Sequence, residues 1–130
     1  MRTRNQMENE RERFKKEFKK RLYQFVLKLI KFLDSLSKDS ITQVIVHQLI
    51  RSGTSIIGNY IEALSASSKK DFTNIFNHAL KSVNESMLWL SLLRDSRNLN
   101  KDKEIQWFLT ELDEFGKIFA SSILRLKGKK

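Results

Sequence analysis

The sequence predicts an all-α protein, an antiparallel up-down-up-down four-helix bundle forming a single domain over residues 1–130, and three observations carry the prediction. Apolar residues recur at steps of three and four through four long segments. These segments are of similar length and are separated by breaks of only a few residues, as short-loop bundles require. No segment alternates with a period of two, and the chain contains no proline.

The first helix is predicted from about Glu10 to Leu36, after a largely polar stretch, residues 1–10, that is expected to fray. Phe14, Phe18, Leu22, Phe25, Leu29, Phe32, Leu33 and Leu36 share one face and form its core stripe. Arg13, Lys16, Lys20, Lys28 and Lys31 project from the far side, and Lys15, Lys19 and Arg21 flank the stripe. Glu12–Lys16 and Glu17–Arg21 are i,i+4 pairs that support the helix. Tyr23, Leu27 and Ile30 follow at i, i+4, i+7 on a second face. One stripe suffices for a monomeric bundle, so this second one predicts contact with another subunit.

Ser37 to Ser40 form the first break, with Asp39 or Ser40 as N-cap of a second helix over about residues 40–65. The stretch Gln48–Ala63, QLIRSGTSIIGNYIEA, organises the chain. Leu49, Ile56, Ile57, Tyr60 and Ile61 make a broad apolar arc that is expected to be buried. Beside it Ser52, Ser55, Asn59 and Glu62 form a polar line, read as buried groups whose interhelical hydrogen bonds set register. Gly53 and Gly58 each cost about 1 kcal/mol against alanine in a helix interior, which close backbone approach would offset. His47, Arg51, Thr54 and Gly58 make the most solvent-like edge. No second histidine or carboxylate cluster stands at ligand spacing from His47, so no metal site is expected.

Ser65 to Ser68 form the second break, and Ser67 or Ser68 caps a third helix, over about residues 68–95. Its core stripe runs from Phe72 through Ile75, Phe76, Ala79, Leu80, Val83, Met87 and Leu90 to Leu93. Trp89 and Leu92 fall outside that stripe and again predict a subunit interface. After Asn98–Asp102, the fourth helix, about 102–126, buries Ile105, Phe108, Leu109, Leu112, Phe115, Phe119, Ile123 and Leu126, with Gly116 as a further point of close approach. Its tail is basic through Arg125, Lys127, Lys129 and Lys130, which partly serves the helix dipole.

Charge narrows the partner class. The formal net charge is +10, and residues 1–36 hold eleven Lys and Arg against five Asp and Glu. Such asymmetry favours an anionic partner, nucleic acid or a membrane surface, over mere solubility. The absence of cysteine excludes a disulfide framework and a thiolate nucleophile. No uncharged apolar run approaches the roughly 20 residues of a bilayer span, so a soluble, cytoplasmic protein is expected.

From Arg51 to Ser96 the chain resembles the four-helix-bundle family named after proteins encoded in 23S ribosomal-RNA intervening sequences. The resemblance rests on Arg51-x-x-x-Ser55-Ile56-x-x-Asn59-x-x-Glu62, on the helix start Ser68-Lys69-Lys70-Asp71-Phe72, and on the run from Ala79-Leu80-Lys81 to Trp89-Leu90. Two positions depart from it: Ala63 stands where a glycine is usual, and the tryptophan often seen early in the first helix is missing. The resemblance implies an antiparallel bundle assembled as a ring, typically a homopentamer, with no known catalytic activity, and no cofactor is expected. The accessory variability proteins of diversity-generating retroelements look similar in fold, charge and assembly, and those partner a reverse transcriptase and its template RNA.

Two function classes follow. The first is a non-enzymatic basic ring that binds structured nucleic acid, chiefly RNA, through Arg11, Arg13, Lys16, Lys19, Lys20 and Arg21, aided by Lys127, Lys129 and Lys130. The second is a protein-interaction scaffold in which Tyr23, Leu27, Ile30, Trp89 and Leu92 matter more than the lysines. A membrane-surface role ranks third, because the phenylalanines of the basic helix are needed in the core. The sequence carries neither a phosphate-binding glycine loop nor a nucleophile–base–acid set, so no enzyme is expected.

Overall fold

The computed structural model describes residues 1–128, and among them it contains four α-helices and no strand. They are α1 (Arg4–Asp34), α2 (Ser40–Leu64), α3 (Lys69–Ser96) and α4 (Asp102–Leu126). Each boundary has a local cause. α1 begins before the expected Glu10, and residues 4–10 are helical rather than frayed, because Thr3 and Gln6 cap reciprocally: each backbone N–H donates to the other's side chain. It ends at Asp34 rather than Leu36, where the N–H of Ser35 closes on the carbonyl of Phe32. Asp39 caps α2 by accepting from the Thr42 N–H, and Ser68 caps α3 by accepting from the Asp71 N–H. The hydrogen bonds that Asp39 accepts, first from the Thr42 backbone and then from Ser37 and Thr42 hydroxyls, hold its carboxyl well below the usual carboxylate range. α4 has no side-chain cap; Asn100, at φ 55°, turns the chain into it.

One core takes a stripe from every helix. Its centre is aromatic. The Phe18 ring lies 5.0 Å from Tyr60, 5.8 Å from Phe115 and 5.6 Å from Phe119, and Phe25 lies 5.4 Å from Phe115 and 5.6 Å from Phe108, all edge to face. Phe76 reaches Phe119 at 4.9 Å from the other side. α2 and α3 pack most extensively and α1 and α4 least. Small residues explain the first. Ser52 and Ser86, both fully buried, share a 2.8 Å hydroxyl–hydroxyl hydrogen bond between α2 and α3. At the α1–α2 crossing a Cβ on Gly53 would stand 2.5 Å from Leu29 Cδ2, so here the glycine does permit close approach.

Several expected placements change. Phe14 is 52% exposed and stacks on Phe18 at 5.9 Å outside the core, because residues 1–17 of the chain are all exposed and the stripe outruns what the other helices cover. Ile61, expected in the buried arc, is 40% exposed, since Leu49, Ile56 and Tyr60 already fill the side of α2 that meets the core. A Cβ on Gly58 would find open space, with no atom within 4 Å, and one on Gly116 would make ordinary contact with Val83 at 3.6 Å; neither glycine marks a close crossing. Among the described residues no helix is long and apolar enough to cross a membrane.

Candidate nucleic-acid interface

The expected cations divide into free and committed ones. Arg11, Arg13, Lys16, Lys19 and Lys20 are exposed on α1, and among the described residues none of them makes an ion pair. Arg13, Lys16 and Lys20 follow at steps of three and four and therefore share one face of the helix. Arg21 does not join them. Its Nε and Nη2 donate to the two carboxylate oxygens of Glu111 at 3.0 and 2.8 Å, and its guanidinium lies 5.5 Å from the centre of the Phe115 ring. The hydrogen bond to Glu111 raises the Arg21 pKa above its ordinary value, so this cation is a clamp between α1 and α4 rather than a free phosphate ligand. The expected pairs Glu12–Lys16 and Glu17–Arg21 are replaced by Glu12–Lys15 and Arg21–Glu111. That exchange leaves Lys16 unneutralised.

Lys127 is exposed at the end of α4, and Lys129 and Lys130 lie outside the described residues. The end of α4 nonetheless approaches the basic helix. A groove of about 750 Å³ runs between the first turns of α1 and the ends of the other helices, and Arg11, Lys15 and Arg125 all line it. Its floor is apolar, through Phe14, Tyr60 and Phe72.

The expected interface residues separate too. Tyr23, Leu27 and Ile30 are exposed along α1, as an outward second stripe should be. Leu92 is exposed on α3, but Trp89 is partly buried against the core with its indole N–H unpartnered. Leu88, one turn before Leu92 on α3, is exposed as well, and so are Ile41 and Val44 on α2. The polar line does not stay together. Only Ser52 is fully buried; Ser55 and Asn59 are intermediate and Glu62 is exposed, because the line winds from the α3 side of α2 out to solvent. Ser55 bonds back to the Arg51 carbonyl at 2.8 Å instead of crossing to another helix.

One residue escapes the sequence pattern. Trp107 on α4 is 37% exposed, and the Lys28 ammonium sits 4.3 Å from its ring centre. It lies off the stripe of Ile105, Phe108 and Leu112, the same signal that draws attention to Trp89. Among the described residues no group of three or more His, Cys, Asp or Glu could hold a metal ion.

Comparison with known proteins adds a lineage. A family model described as the 23S rRNA-intervening sequence protein matches residues 14–121. Among solved structures, a protein of unknown function from the S23 ribosomal protein family of Bacteroides thetaiotaomicron VPI-5482 is similar, with 30% sequence identity and a TM-score of 0.75. The match covers 84% of this chain and 96% of that one. No curated protein matches.

Proposed function

This chain belongs to the 23S rRNA-intervening sequence protein family, and on that premise we propose that it is a non-enzymatic, basic accessory protein that binds structured RNA as a ring of copies. The observation that carries the reading is the row of unpaired cations on the exposed first turns of α1. A helix that carries Arg11, Arg13, Lys16, Lys19 and Lys20 and buries nothing before Phe18 is a surface for phosphates. Repetition of that surface around a ring multiplies affinity for one long polyanion.

Two further arrangements support the architecture, one within the chain and one between copies. Phe18 lies against Phe119 while Phe25 and Phe32 lie against Phe108, so later residues of α1 meet earlier residues of α4, as an up-down-up-down bundle requires. The exposed apolar residues fall on different helices: Tyr23, Leu27 and Ile30 on α1, and Leu88 and Leu92 with Val44 on α3 and α2. Apolar residues exposed on different helices suit a heterologous, head-to-tail contact, which gives a ring when its rotation closes, rather than a two-fold dimer. We favour five subunits, and a reverse transcriptase of the retroelement type as the partner to which the RNA is presented. Localisation in the cytoplasm accords with this role.

The test is the affinity for a folded RNA as a function of salt. Neutralisation of about five phosphates per subunit lowers log K by roughly four to five units per tenfold rise in salt, and Lys16→Glu/Lys19→Glu/Lys20→Glu flattens that slope. Salt-independent binding, or none at low salt, removes the reading. The exposed apolar stripes favour one alternative, a protein-binding scaffold; it gains if the charge-reversed variant keeps its cellular partners. Light scattering at moderate salt checks the ring, which a one-subunit mass excludes.

A further inference from the structure

Trp107 opens onto a shallow hollow of about 340 Å³ between α1 and α4, and the hollow's charged lining is three lysines, Lys28, Lys31 and Lys101, against one carboxylate, Glu104. Among the described residues none of the three lysines makes an ion pair. Two buried rings pack against the indole. The Phe25 ring lies 6.4 Å away and nearly parallel to it, and Phe108 meets it edge-on at 5.2 Å, so its plane is fixed by buried residues. What covers it is the ammonium of exposed Lys28, a cation on a flexible stem.

A rigid, partly exposed aromatic face ringed by unpaired cations has the make-up of a base-stacking platform. Nucleobases stack on such faces without regard to sequence, while the neighbouring cations hold the flanking phosphates. We propose that the Trp107 hollow takes one nucleotide of a single-stranded segment, with the base on the indole and phosphates at Lys28, Lys31 and Lys101. Lys28 leaves the ring as the base arrives and turns to a phosphate. The site is built from later turns of α1 and the start of α4, apart from the Arg13–Lys20 row, so it adds a single-strand subsite to the polyanion surface and deepens the RNA-binding reading, on which it rests.

The experiment compares two labelled probes of equal charge by fluorescence anisotropy: an eight-residue oligoadenylate and its abasic ribose-phosphate counterpart. The wild-type chain prefers the oligoadenylate by about tenfold, the scale of one stacked base. Trp107→Leu loses that preference and Trp107→Tyr, which keeps an aromatic face, retains most of it. Equal binding of both probes by the wild-type chain, or an unchanged preference in Trp107→Leu, overturns the stacking site while leaving the polyanion reading in place. Binding of neither probe at low salt removes both. Should Trp107→Leu fail to fold, titration of the wild-type chain with adenosine monophosphate decides: the Trp107 indole N–H resonance shifts and that of Trp89 does not, and the absence of a Trp107 shift overturns the site.

Discussion

Phe14 and Phe18 stand one turn apart on the same stripe of α1, yet they belong to different regions of the molecule. Phe18 is buried among Tyr60, Phe115 and Phe119, whereas Phe14 is half in solvent beside an open groove. The first turns of α1 bury nothing and are rich in free cations; the later turns bury six residues and hold the core together. The difference teaches that one continuous helix can serve two ends, since helical pattern persists beyond the point where neighbours stop. Where the neighbours stop, positive charge accumulates without a desolvation penalty.

The sharpest way to break that contrast is to truncate both rings. Phe18→Ala should cost about 3–5 kcal/mol in urea unfolding, and Phe14→Ala less than about 1 kcal/mol; comparable losses would dissolve the distinction. A similar contrast, between a fully and a partly buried serine, recurs on α2. Ser52→Ala leaves the Ser86 hydroxyl buried without its partner and should cost about 1–3 kcal/mol, and Ser52→Ala/Ser86→Ala should recover part of it. Ser55→Ala, which removes only a bond within the helix, should change stability by about 0.5 kcal/mol or less.

Smaller effects refine the picture. Gly58→Ala meets open space and should stabilise by about 0.5–1 kcal/mol, while Gly53→Ala drives a methyl against fully buried Leu29 and should destabilise. A thermal melt of each separates them by sign. Acid titration probes the Asp39 cap. Its carboxyl titrates lower in the folded chain than unfolded, so the stabilisation is complete above its ordinary value near about pH 4 and disappears as pH falls through the folded value. Asp39→Ala should therefore lose less melting temperature than the wild-type chain on acidification below about pH 4; parallel curves would show that the cap contributes nothing pH-dependent.

Much of this was legible because it is local. Helix period, the capping pairs Asp39/Ser40 and Ser67/Ser68, of which the structure uses Asp39 and Ser68, and the core stripes of α3 and α4 need only nearby residues to specify them. The early start of α1 is local too, in Thr3 and Gln6 at capping-box spacing, though the polar run around them reads as a frayed end. The candidate interface was readable as charge and not as partnership. Arg21 looks like any other cation in the row until α4 brings Glu111 to it, ninety positions away. Trp89 and Trp107 both lie off their stripes, and only packing makes the first partly buried against the core and the second an exposed ring under the Lys28 ammonium.

By itself, then, the sequence determined four amphipathic helices, the breaks that hold the caps of the second and third, and the excess of positive charge on the first. Tertiary structure alone decided which phenylalanines are core, which serine finds a serine across the helices, which glycine is crowded and which arginine is spent on a clamp. The reason is range: periodicity and capping act over a few residues along the chain, whereas burial and ion pairing depend on what another helix places alongside.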